Sequence, residues 1–425
     1  MKISQFCKLF DITPGAVRFY IEKGLLIPAV VHGRYYFSEK DMADMRLLRR
    51  LKACRFSIPE IHRLMSLFRY SDLLFAREAE DYIRLLAEKK EALLAEQQQL
   101  EEALANLAAE ETAAIAARNR QPLRHSGVPA RFLPYLACPS CQAGLVMQDC
   151  HIECEEILSA RLYCSKGCGY HAEIRDGILL APQKEYSLAE AREELCFYHA
   201  MSPEMTDGNW LMNADLITLL YKCYQWLFDR LPRQPQREML VLEDYINGMC
   251  FTHSRLAQLP ENALYILTDP YPMVLRMYRD ILNRTQAKRS VLFIAAENDN
   301  LPLRRQCVDI YIDLAANKHA MRHHAFALDA TAKYLRPNAL ALGGFWSFRP
   351  NGVSAATLQQ KFPACWRRNF DLSFFRHTLN QRWQQIKAWE TIAELPAPVV
   401  KNSDAFLQPG EAVMLSAYAA TGLLA

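Results

Sequence analysis

The chain has no long apolar run, and its first residues carry no apolar leader. No run approaches the ~18 apolar residues that a membrane-crossing helix needs. The opening MKISQFCKLF lacks the apolar centre of a signal peptide. These absences argue against a membrane-spanning protein and a membrane partner, and they predict a cytoplasmic location.

Common catalytic patterns are missing as well. The sequence contains no Ser-His-Asp order, no paired acid motif and no phosphate-binding loop. No catalytic residue is therefore predicted from motifs alone. The 425 residues, 51% of them hydrophobic, provide enough material for ordinary buried cores in several domains.

The first segment of the chain carries the signals of a winged helix-turn-helix unit. Thr13 is a good N-cap and Pro14 suits the first helical position, so a helix is expected over residues 14–23 and should stop at Gly24. A tight turn at Gly33 followed by a run of aromatic residues predicts a small β-wing. A short helix and a wing within one small unit are typical of proteins that bind duplex DNA.

Positive charge is concentrated in the same segment. Residues 1–70 hold five Lys and eight Arg against three Asp and three Glu, an excess of seven positive charges, whereas the whole chain carries +3. Lys and Arg neutralise phosphates and release counterions, so a compact cationic unit matches the electrostatic footprint of a DNA binder. A solvated basic face is the alternative explanation of the charge imbalance alone.

Two strings, RFYIEKGLLIP and GRYYF, together with predicted helices over residues 39–50 and 57–68, resemble the MerR family of bacterial transcription regulators. The resemblance covers residues 1–118. It implies a protein that twists double-stranded promoter DNA with an overlong spacer into register, with RNA polymerase as a further partner. The implied DNA-binding residues are Thr13, Gly15, Val17, Arg18, Tyr20, Lys23, Arg34 and Tyr35. Packing between helix and wing is the alternative role of the two tyrosines.

Residues 71–118 contain no proline or glycine and are rich in Ala, Leu, Glu and Gln, which predicts one long helix. Apolar residues recur along it with the alternating four- and three-residue spacing of a coiled-coil seam, interrupted by Lys89, Glu96 and Glu110. In the MerR family the equivalent helix pairs antiparallel with its copy in a second subunit, so the resemblance implies a homodimer. A helix packed onto its own chain is the alternative.

Two cysteine knuckles follow a polar linker. Cys138 and Cys141 form a CPSC motif, and Cys164 and Cys168 form a CSKGC motif. Tetrahedral zinc is held by four thiolates from two tight turns, so this spacing predicts a structural zinc ion in a ribbon over residues 135–182. The 13 cysteines of a chain expected in the cytosol favour thiols and metal ligands over disulfides.

Two further cysteines, Cys150 and Cys154, lie between the knuckles. Strand residues of a ribbon hairpin are one interpretation of this pair. A redox-active pair, or a pair that binds a second ion, is the other. The sequence leaves both open.

The rest of the chain alternates apolar strands such as MLVLE, ALYILTD and VDIYID with helical stretches. This alternation predicts an α/β, doubly wound, Rossmann-like sheet. The strand order, with DPYPMVLRMYR, ENDNLPLR and YLRPNALALGGFW, resembles the class I S-adenosylmethionine-dependent methyltransferases over residues 190–350. The ribbon segment GYHAEIRDGILLAP resembles the zinc-ribbon head that precedes certain ribosomal RNA guanine methyltransferases.

The methyltransferase resemblance implies cofactor contacts, but one motif departs from it. Asp269 would accept the ribose hydroxyls and Asp299 would face the adenine amine. The loop that begins at Glu243 should be rich in glycine, yet it reads EDYINGMC and keeps only Gly248. Bulky Tyr and Ile side chains there predict that the fold is kept and that S-adenosylmethionine binding and methyl transfer are lost. These four residues then remain as candidate effector contacts.

The predicted fold class is therefore multidomain: an all-α winged helix-turn-helix with a long coiled-coil helix, a small zinc ribbon, and an α/β Rossmann-like sheet. The predicted function is a MerR-type transcriptional regulator controlled by an unidentified small-molecule effector. Two alternatives stay open, an active methyltransferase with a regulatory DNA-binding domain and a cysteine-based metal or redox sensor. The predicted boundaries are 1–70 for the winged unit, 71–118 for the coiled-coil helix, 119–134 for the linker, 135–182 for the ribbon and 183–425 for the methyltransferase-like domain.

Overall fold

A computed structural model of the chain divides it into two units, Met1–Arg120 and Gln121–Ala425. No helix among the residues that the structure describes is long and apolar enough to cross a membrane. The described residues are 1–123, 127–182, 214–233, 235, 237–246, 250–285, 289–314, 327–361, 363, 366–396 and 410–423.

Local capping signals set the helices of the first unit. The Thr13 side chain accepts a hydrogen bond from the Ala16 backbone N–H at 3.2 Å, and Gly24 leaves the helix with φ +69°. The predicted helix over residues 14–23 is confirmed to within one residue. The elements of this unit are α1 (Ile3–Phe10), α2 (Pro14–Glu22), β1 (Ala29–Val31), β2 (Arg34–Tyr36), α3 (Glu39–Ala53), α4 (Ile58–Ser71) and α5 (Ala76–Arg118).

One half-buried arginine joins the end of α4 to the end of α2. Arg69 forms an ion pair with Asp44 at 2.6 Å, and its guanidinium also donates to the carbonyls of Gly24 at 2.8 Å and Leu25 at 2.5 Å. Because these bonds are charge-assisted and shielded from water, they hold the turn after α2 in place. The orientation of α2 relative to the wing depends on that turn.

The long helix differs from its prediction at its start. The sequence places it at residue 71, whereas α4 continues to Ser71 and α5 begins only at Ala76. Asp72 and Leu73 interrupt the helix with φ values of 49° and 59°. None of the 43 residues of α5 is buried within this single chain. Large apolar side chains stay exposed along it, namely Ile83, Leu94, Leu100, Leu104, Leu107 and Ile115.

The second unit is organised around one mixed sheet. Its parallel part runs in the order β10-β9-β8-β11-β12, and β14 lies antiparallel between β12 and β13. This order confirms the predicted doubly wound, methyltransferase-like sheet. The central strands are β8 (Met239–Asp244), β9 (Ala263–Thr268), β10 (Ser290–Ala295), β11 (Val308–Asp313), β12 (Leu335–Phe348), β13 (Trp383–Pro396) and β14 (Ala412–Leu423).

Helices and apolar side chains cover both faces of this sheet. Alternate residues of one strand enter two different cores: Val241 packs in one cluster, and its neighbours Leu240 and Leu242 pack in the other. Strands buried on both faces need continuous apolar sequence, which explains runs such as MLVL. The helices are α6 (Ala214–Phe228), α7 (Phe251–Arg255), α8 (Pro272–Asn283), α9 (Ala327–Ala332), α10 (Val353–Lys361), α11 (Trp366–Phe370) and α12 (Leu372–Arg382).

The ribbon is continuous with the large sheet. Its strands are β3 (Val128–Pro129), β4 (Leu145–Glu153), β5 (Glu156–Cys164), β6 (His171–Arg175) and β7 (Ile178–Leu180). β7 pairs in parallel with β10, with Ile178 opposite Phe293 and Leu180 opposite Ala295. The two predicted segments 135–182 and 183–425 therefore share one 12-stranded sheet.

Candidate functional site

The N-terminal face of α2 is open to solvent. Thr13, Gly15 and Arg18 are all exposed, and a Cβ added at Gly15 would meet nothing nearer than the Thr13 hydroxyl at 3.9 Å. A helix N-terminus with an exposed threonine and arginine suits contact with phosphates and base edges. The structure thus leaves these three predicted residues available to DNA.

Two other predicted contacts point inward. Val17 has 0% of its surface exposed and belongs to the core with Phe6 and Leu25. The expectation that Val17 lies near exposed base-reading positions is wrong, because the helix turns that residue towards α1. Tyr20 is also buried, and its hydroxyl accepts a hydrogen bond from Lys52 Nζ at 3.3 Å. Its ring therefore packs in the core, which agrees with the packing role given above as the alternative for the two tyrosines.

The wing and the end of α2 add further cations. Arg34 is exposed at the start of β2 and Tyr35 beside it is half-buried against the core. Lys23 is exposed, pairs with Glu22 at 3.6 Å and lies 5.7 Å from the Phe19 ring centroid. Lys52 of α3, exposed beside Tyr20, is a cation that the motif-based prediction missed.

Four cysteine sulfurs converge in the ribbon. The Sγ atoms of Cys138, Cys141, Cys164 and Cys168 all lie within 4.8 Å of one another. Their measured separations include 3.3 Å for Cys138 to Cys168 and 3.4 Å for Cys141 to Cys164. Four thiolates around a tetrahedral zinc ion, with Zn–S bonds of about 2.3 Å, lie about 3.8 Å apart. The cluster therefore fits a zinc ion and offers it four thiolate ligands.

The local backbone prepares one sulfur of the cluster for metal binding. The Cys168 backbone N–H donates to the Cys164 sulfur and, with the neighbouring thiols, lowers the pKa of Cys164 to about 6. Because thiolate is the form of cysteine that binds metal, such backbone donors favour metal binding by the cluster. Gly167 and Gly169 adopt φ values of 67° and 90°, so the tight turn that delivers these donors requires glycine.

Cys150 and Cys154 stand apart from this group. Both are exposed, Cys150 on β4 and Cys154 in the two-residue turn before β5, where Cys154 and Glu155 have φ values of 48° and 67°. They are absent from the metal-ligand group found among the described residues. Their predicted role as a sensor pair stays a prediction.

Glu243 is committed to the interior. It has 1% of its surface exposed, and its carboxylate accepts hydrogen bonds from the backbone N–H groups of Phe251 at 2.5 Å and Thr252 at 2.8 Å. Burial raises the pKa of Glu243 to about 7 despite these donors. The acid that begins the cofactor loop therefore holds the start of α7.

The two aspartates expected to contact a cofactor occupy unlike positions. Asp269 is fully buried, and its Oδ1 accepts from the Tyr271 backbone N–H at 2.9 Å. Asp299 is exposed, and its backbone carbonyl accepts from the Lys333 ammonium group. Gly248, the fourth candidate, lies outside the described residues.

A buried polar network at the reversal of strand order was not predicted. Asp244, at the end of β8, accepts from the Thr268 hydroxyl at 2.7 Å, the Asn298 amide at 3.3 Å and the Tyr311 hydroxyl at 3.3 Å. These four residues, called here the switch-point network, link the ends of β8 and β9 to β11 and to the segment after β10. Asp244 and Asn298 are adjacent in sequence to the predicted residues Glu243 and Asp299. The residues of the network therefore lie one position away from the residues that the motifs indicated.

The described residues do not fit S-adenosylmethionine in the way that the resemblance implies. Tyr245 is buried with φ +54°, and the buried Ile246 donates its backbone N–H to the Thr268 carbonyl at 3.0 Å. Two bulky side chains thus enter the core where a flexible glycine loop should approach the cofactor. The carboxylate of Asp269 is fully buried as well, so it presents no exposed oxygen to ribose hydroxyls.

The first unit, with its capped α2, exposed cations and β-wing, defines a helix-turn-helix DNA-binding protein. Residues 1–67 match the family described as MerR HTH family regulatory protein. The HTH-type transcriptional regulator CueR of Vibrio cholerae serotype O1 is 32% identical over 112 residues, which is 25% of this chain and 80% of the relative. The chain belongs to the MerR HTH family of regulatory proteins.

The chain has low overall similarity to several solved structures. The MccD protein has a TM-score of 0.37 and 10% identity, over 48% of this chain and 96% of that one. The geranyl diphosphate C-methyltransferase of Streptomyces coelicolor A3(2) has a TM-score of 0.35 and 10% identity, over 53% of this chain and 88% of that one. The strand order of the large sheet is that of a doubly wound, methyltransferase-like sheet.

Zinc binding by the cysteine cluster is directly testable. Protein purified without added zinc should contain about one ion per chain by elemental analysis, because the four thiolates saturate a structural site. A Cys138→Ser, Cys164→Ser double variant should contain none, since it loses one ligand from each knuckle. The matched control, Cys150→Ser with Cys154→Ser, should keep the ion. Retention of the ion by the first variant would rule out these ligands.

Proposed function

We propose that this protein is a transcriptional regulator that binds promoter DNA as a homodimer and is controlled through its methyltransferase-like domain. The observation that carries the proposal is the exposed cationic surface of the first unit. Arg18 on α2, Lys23 after it and Arg34 on the wing all present their charges to solvent. Such contacts hold a DNA backbone in register without reading sequence.

The dimer is supported by the exposed length of α5. At 43 residues, the helix is about 65 Å long, far more than the first unit needs to bury its own core. Leu100, Leu104 and Leu107 have 56%, 65% and 67% of their surfaces exposed. A repeated apolar stripe on a long polar helix is stable in water only when another helix covers it. A second copy of the same helix, antiparallel as in the family, provides that cover.

Two features support control by a ligand: the strand order of the sheet and the altered loop after β8. The sheet keeps its reversal of strand order, which is where open α/β sheets bind ligands. The described loop residues Tyr245 and Ile246 are nevertheless buried in the core. We infer that an unidentified small molecule binds at the carboxyl edge of this sheet and that it favours one of two promoter-bending states. Such a ligand switches the regulator only if it binds the two states unequally, and RNA polymerase then responds to the twisted promoter.

A cysteine-based sensor is the second candidate, because Cys150 and Cys154 are exposed at the tip of the ribbon hairpin. In that case the change of Cys150 and Cys154 to Ser leaves DNA binding intact and removes induction. The proposed small-molecule sensor keeps induction in the same variant. Induction of a reporter gene by the wild type and this variant separates the two candidates.

The DNA interface predicts a specific electrostatic signature. Arg18→Ala and Arg34→Ala should each weaken binding to all duplex sequences alike, and each should reduce the slope of log affinity against log salt by about one. Binding of purified protein to promoter and random duplexes over a salt series measures both effects.

The control for these variants is Arg175→Ala, which removes an equal charge from an exposed ribbon residue paired with Glu173. It should leave affinity and slope unchanged. An unchanged slope in Arg18→Ala would remove that residue from the interface. The absence of any footprint on promoters, including that of the protein's own operon, would end the proposal.

The α5 stripe predicts the oligomeric state. Leu100→Glu combined with Leu107→Glu should convert a dimer to a monomer in sedimentation velocity experiments, because two charges would enter an apolar seam. Gln99→Glu, a new charge on an exposed neighbouring position, should leave the dimer intact. A wild-type protein that sediments as a monomer, or a double variant that remains dimeric, would contradict dimerisation through this helix.

A further inference from the structure

The first zinc knuckle is bonded to the chain segment that follows β10. The Ala137 backbone N–H donates to the Pro302 carbonyl at 3.1 Å, and Leu136 forms an antiparallel bridge with Leu303. Residues 297–306, called here the post-β10 segment, therefore run alongside the residues that lead into Cys138. The ribbon touches the larger domain here as well as through the pairing of β7 with β10.

The side chain of Gln142 contacts both the first cysteine knuckle and the post-β10 segment. Gln142 follows the ligand Cys141 directly and adopts φ +60°. Its amide N–H group donates to the carbonyls of Cys138 at 3.2 Å and Leu303 at 3.3 Å. Its amide oxygen accepts from the Arg305 backbone N–H at 2.9 Å. Gln142 thus bonds to the metal knuckle on one side and to the post-β10 segment on the other.

The other end of the post-β10 segment reaches the switch-point network. Leu301 and Leu303 are fully buried, and the Leu301 carbonyl accepts from the Tyr334 hydroxyl at 3.1 Å. These contacts fix the middle of the segment. Asn298 of the same segment donates to Asp244 at 3.3 Å. A continuous set of contacts therefore leads from Cys141 through Gln142 and the segment to Asp244.

We propose that Gln142 is a positioning residue that couples metal loading of the four-cysteine cluster to the conformation of the post-β10 segment and the switch-point network. A bound tetrahedral ion fixes the knuckle backbone and hence the position of the Gln142 amide. When the ion leaves, the knuckle is no longer held, and the bonds from Gln142 to Leu303 and Arg305 weaken. The metal site then tunes the edge of the sheet at which the proposed effector binds. The regulatory meaning of this coupling rests on the proposed function, but the coupling itself does not.

Hydrogen exchange followed by mass spectrometry tests the coupling in the full-length protein without DNA. The samples are zinc-loaded protein, protein stripped by a chelator, and stripped protein reloaded with zinc. Stripping should speed exchange of the Asn300 and Leu303 amides roughly fivefold, as expected when a local opening loses one ordinary hydrogen bond. Reloading should restore it, while the central strands β8 and β9 exchange as before. Equal exchange of the segment in loaded and stripped protein would overturn the proposal.

Variants separate coupling from general loss of the ribbon fold. Gln142→Ala should keep its zinc by elemental analysis yet exchange as the stripped protein does at Asn300. The Arg305 amide loses its acceptor directly in this variant and is therefore not the reporter. Gln142→Glu keeps that acceptor but loses both donors, so its exchange should fall between the two. The control is Gln148→Ala, at an exposed position of β4, which should match the wild type. Wild-type exchange at Asn300 in zinc-loaded Gln142→Ala would contradict the assignment.

These outcomes are independent of DNA binding. A protein that shows the coupling but footprints no promoter would retain this inference and lose the proposed function. A protein that binds its promoter without the coupling would do the reverse.

Discussion

The second unit depends on the pairing of β7 with β10. Three residues of the ribbon, Ile178 to Leu180, lie in parallel register with Phe293 to Ala295. Without them β10 would be the edge of the parallel sheet and would expose unpaired backbone groups. The pairing extends the hydrogen-bonded ladder into the ribbon and brings the first zinc knuckle beside the segment after β10. The four-cysteine cluster and the segment after β10 are close neighbours through this strand pair and through the bond from Ala137 to Pro302.

Three acidic side chains at the carboxyl edge of the sheet accept hydrogen bonds from neighbouring parts of the fold. Glu243 caps the start of α7, Asp269 binds the turn at Tyr271, and Asp244 gathers donors from three neighbouring elements. A buried carboxylate is tolerated only when such donors satisfy it. Carboxylates committed in this way are poor partners for the hydroxyls of a cofactor. The strand order of a methyltransferase is thus retained, while Glu243, Asp244 and Asp269 bond within the fold.

The sequence predicted correctly those features that depend on single residues or short motifs. Thr13 and Gly24 mark the start and the end of α2, because capping and left-handed backbone each depend on a single residue. The spacing of Cys138 and Cys141 likewise indicated two of the four metal ligands, because both lie in one short motif. Val17 could have been placed correctly, since it lies three residues before the buried Tyr20 on one helical stripe.

Other features have causes that are distant in sequence. The pairing of β7 with β10 joins segments more than a hundred residues apart, and no local pattern in either strand specifies its partner. The break before α5 lies at Asp72 and Leu73, where Ser71 and Asp72 favour caps and turns over helix interiors but the apolar residues after them resemble a continuing helix. The sequence could not show that Asn298, and not its neighbour Asp299, bonds to Asp244, because the turn after β10 decides which of two adjacent polar side chains points inward.

We propose that the second unit of this MerR-family regulator has the strand order of a methyltransferase but does not bind the methyl donor. Calorimetric titration of the purified protein with S-adenosylmethionine and S-adenosylhomocysteine, repeated with Asp269→Ala, tests it most directly. We expect no binding of either compound at concentrations where a roughly micromolar complex would form. Micromolar binding by the wild type that is lost in Asp269→Ala would contradict this proposal and would favour the methyltransferase alternative.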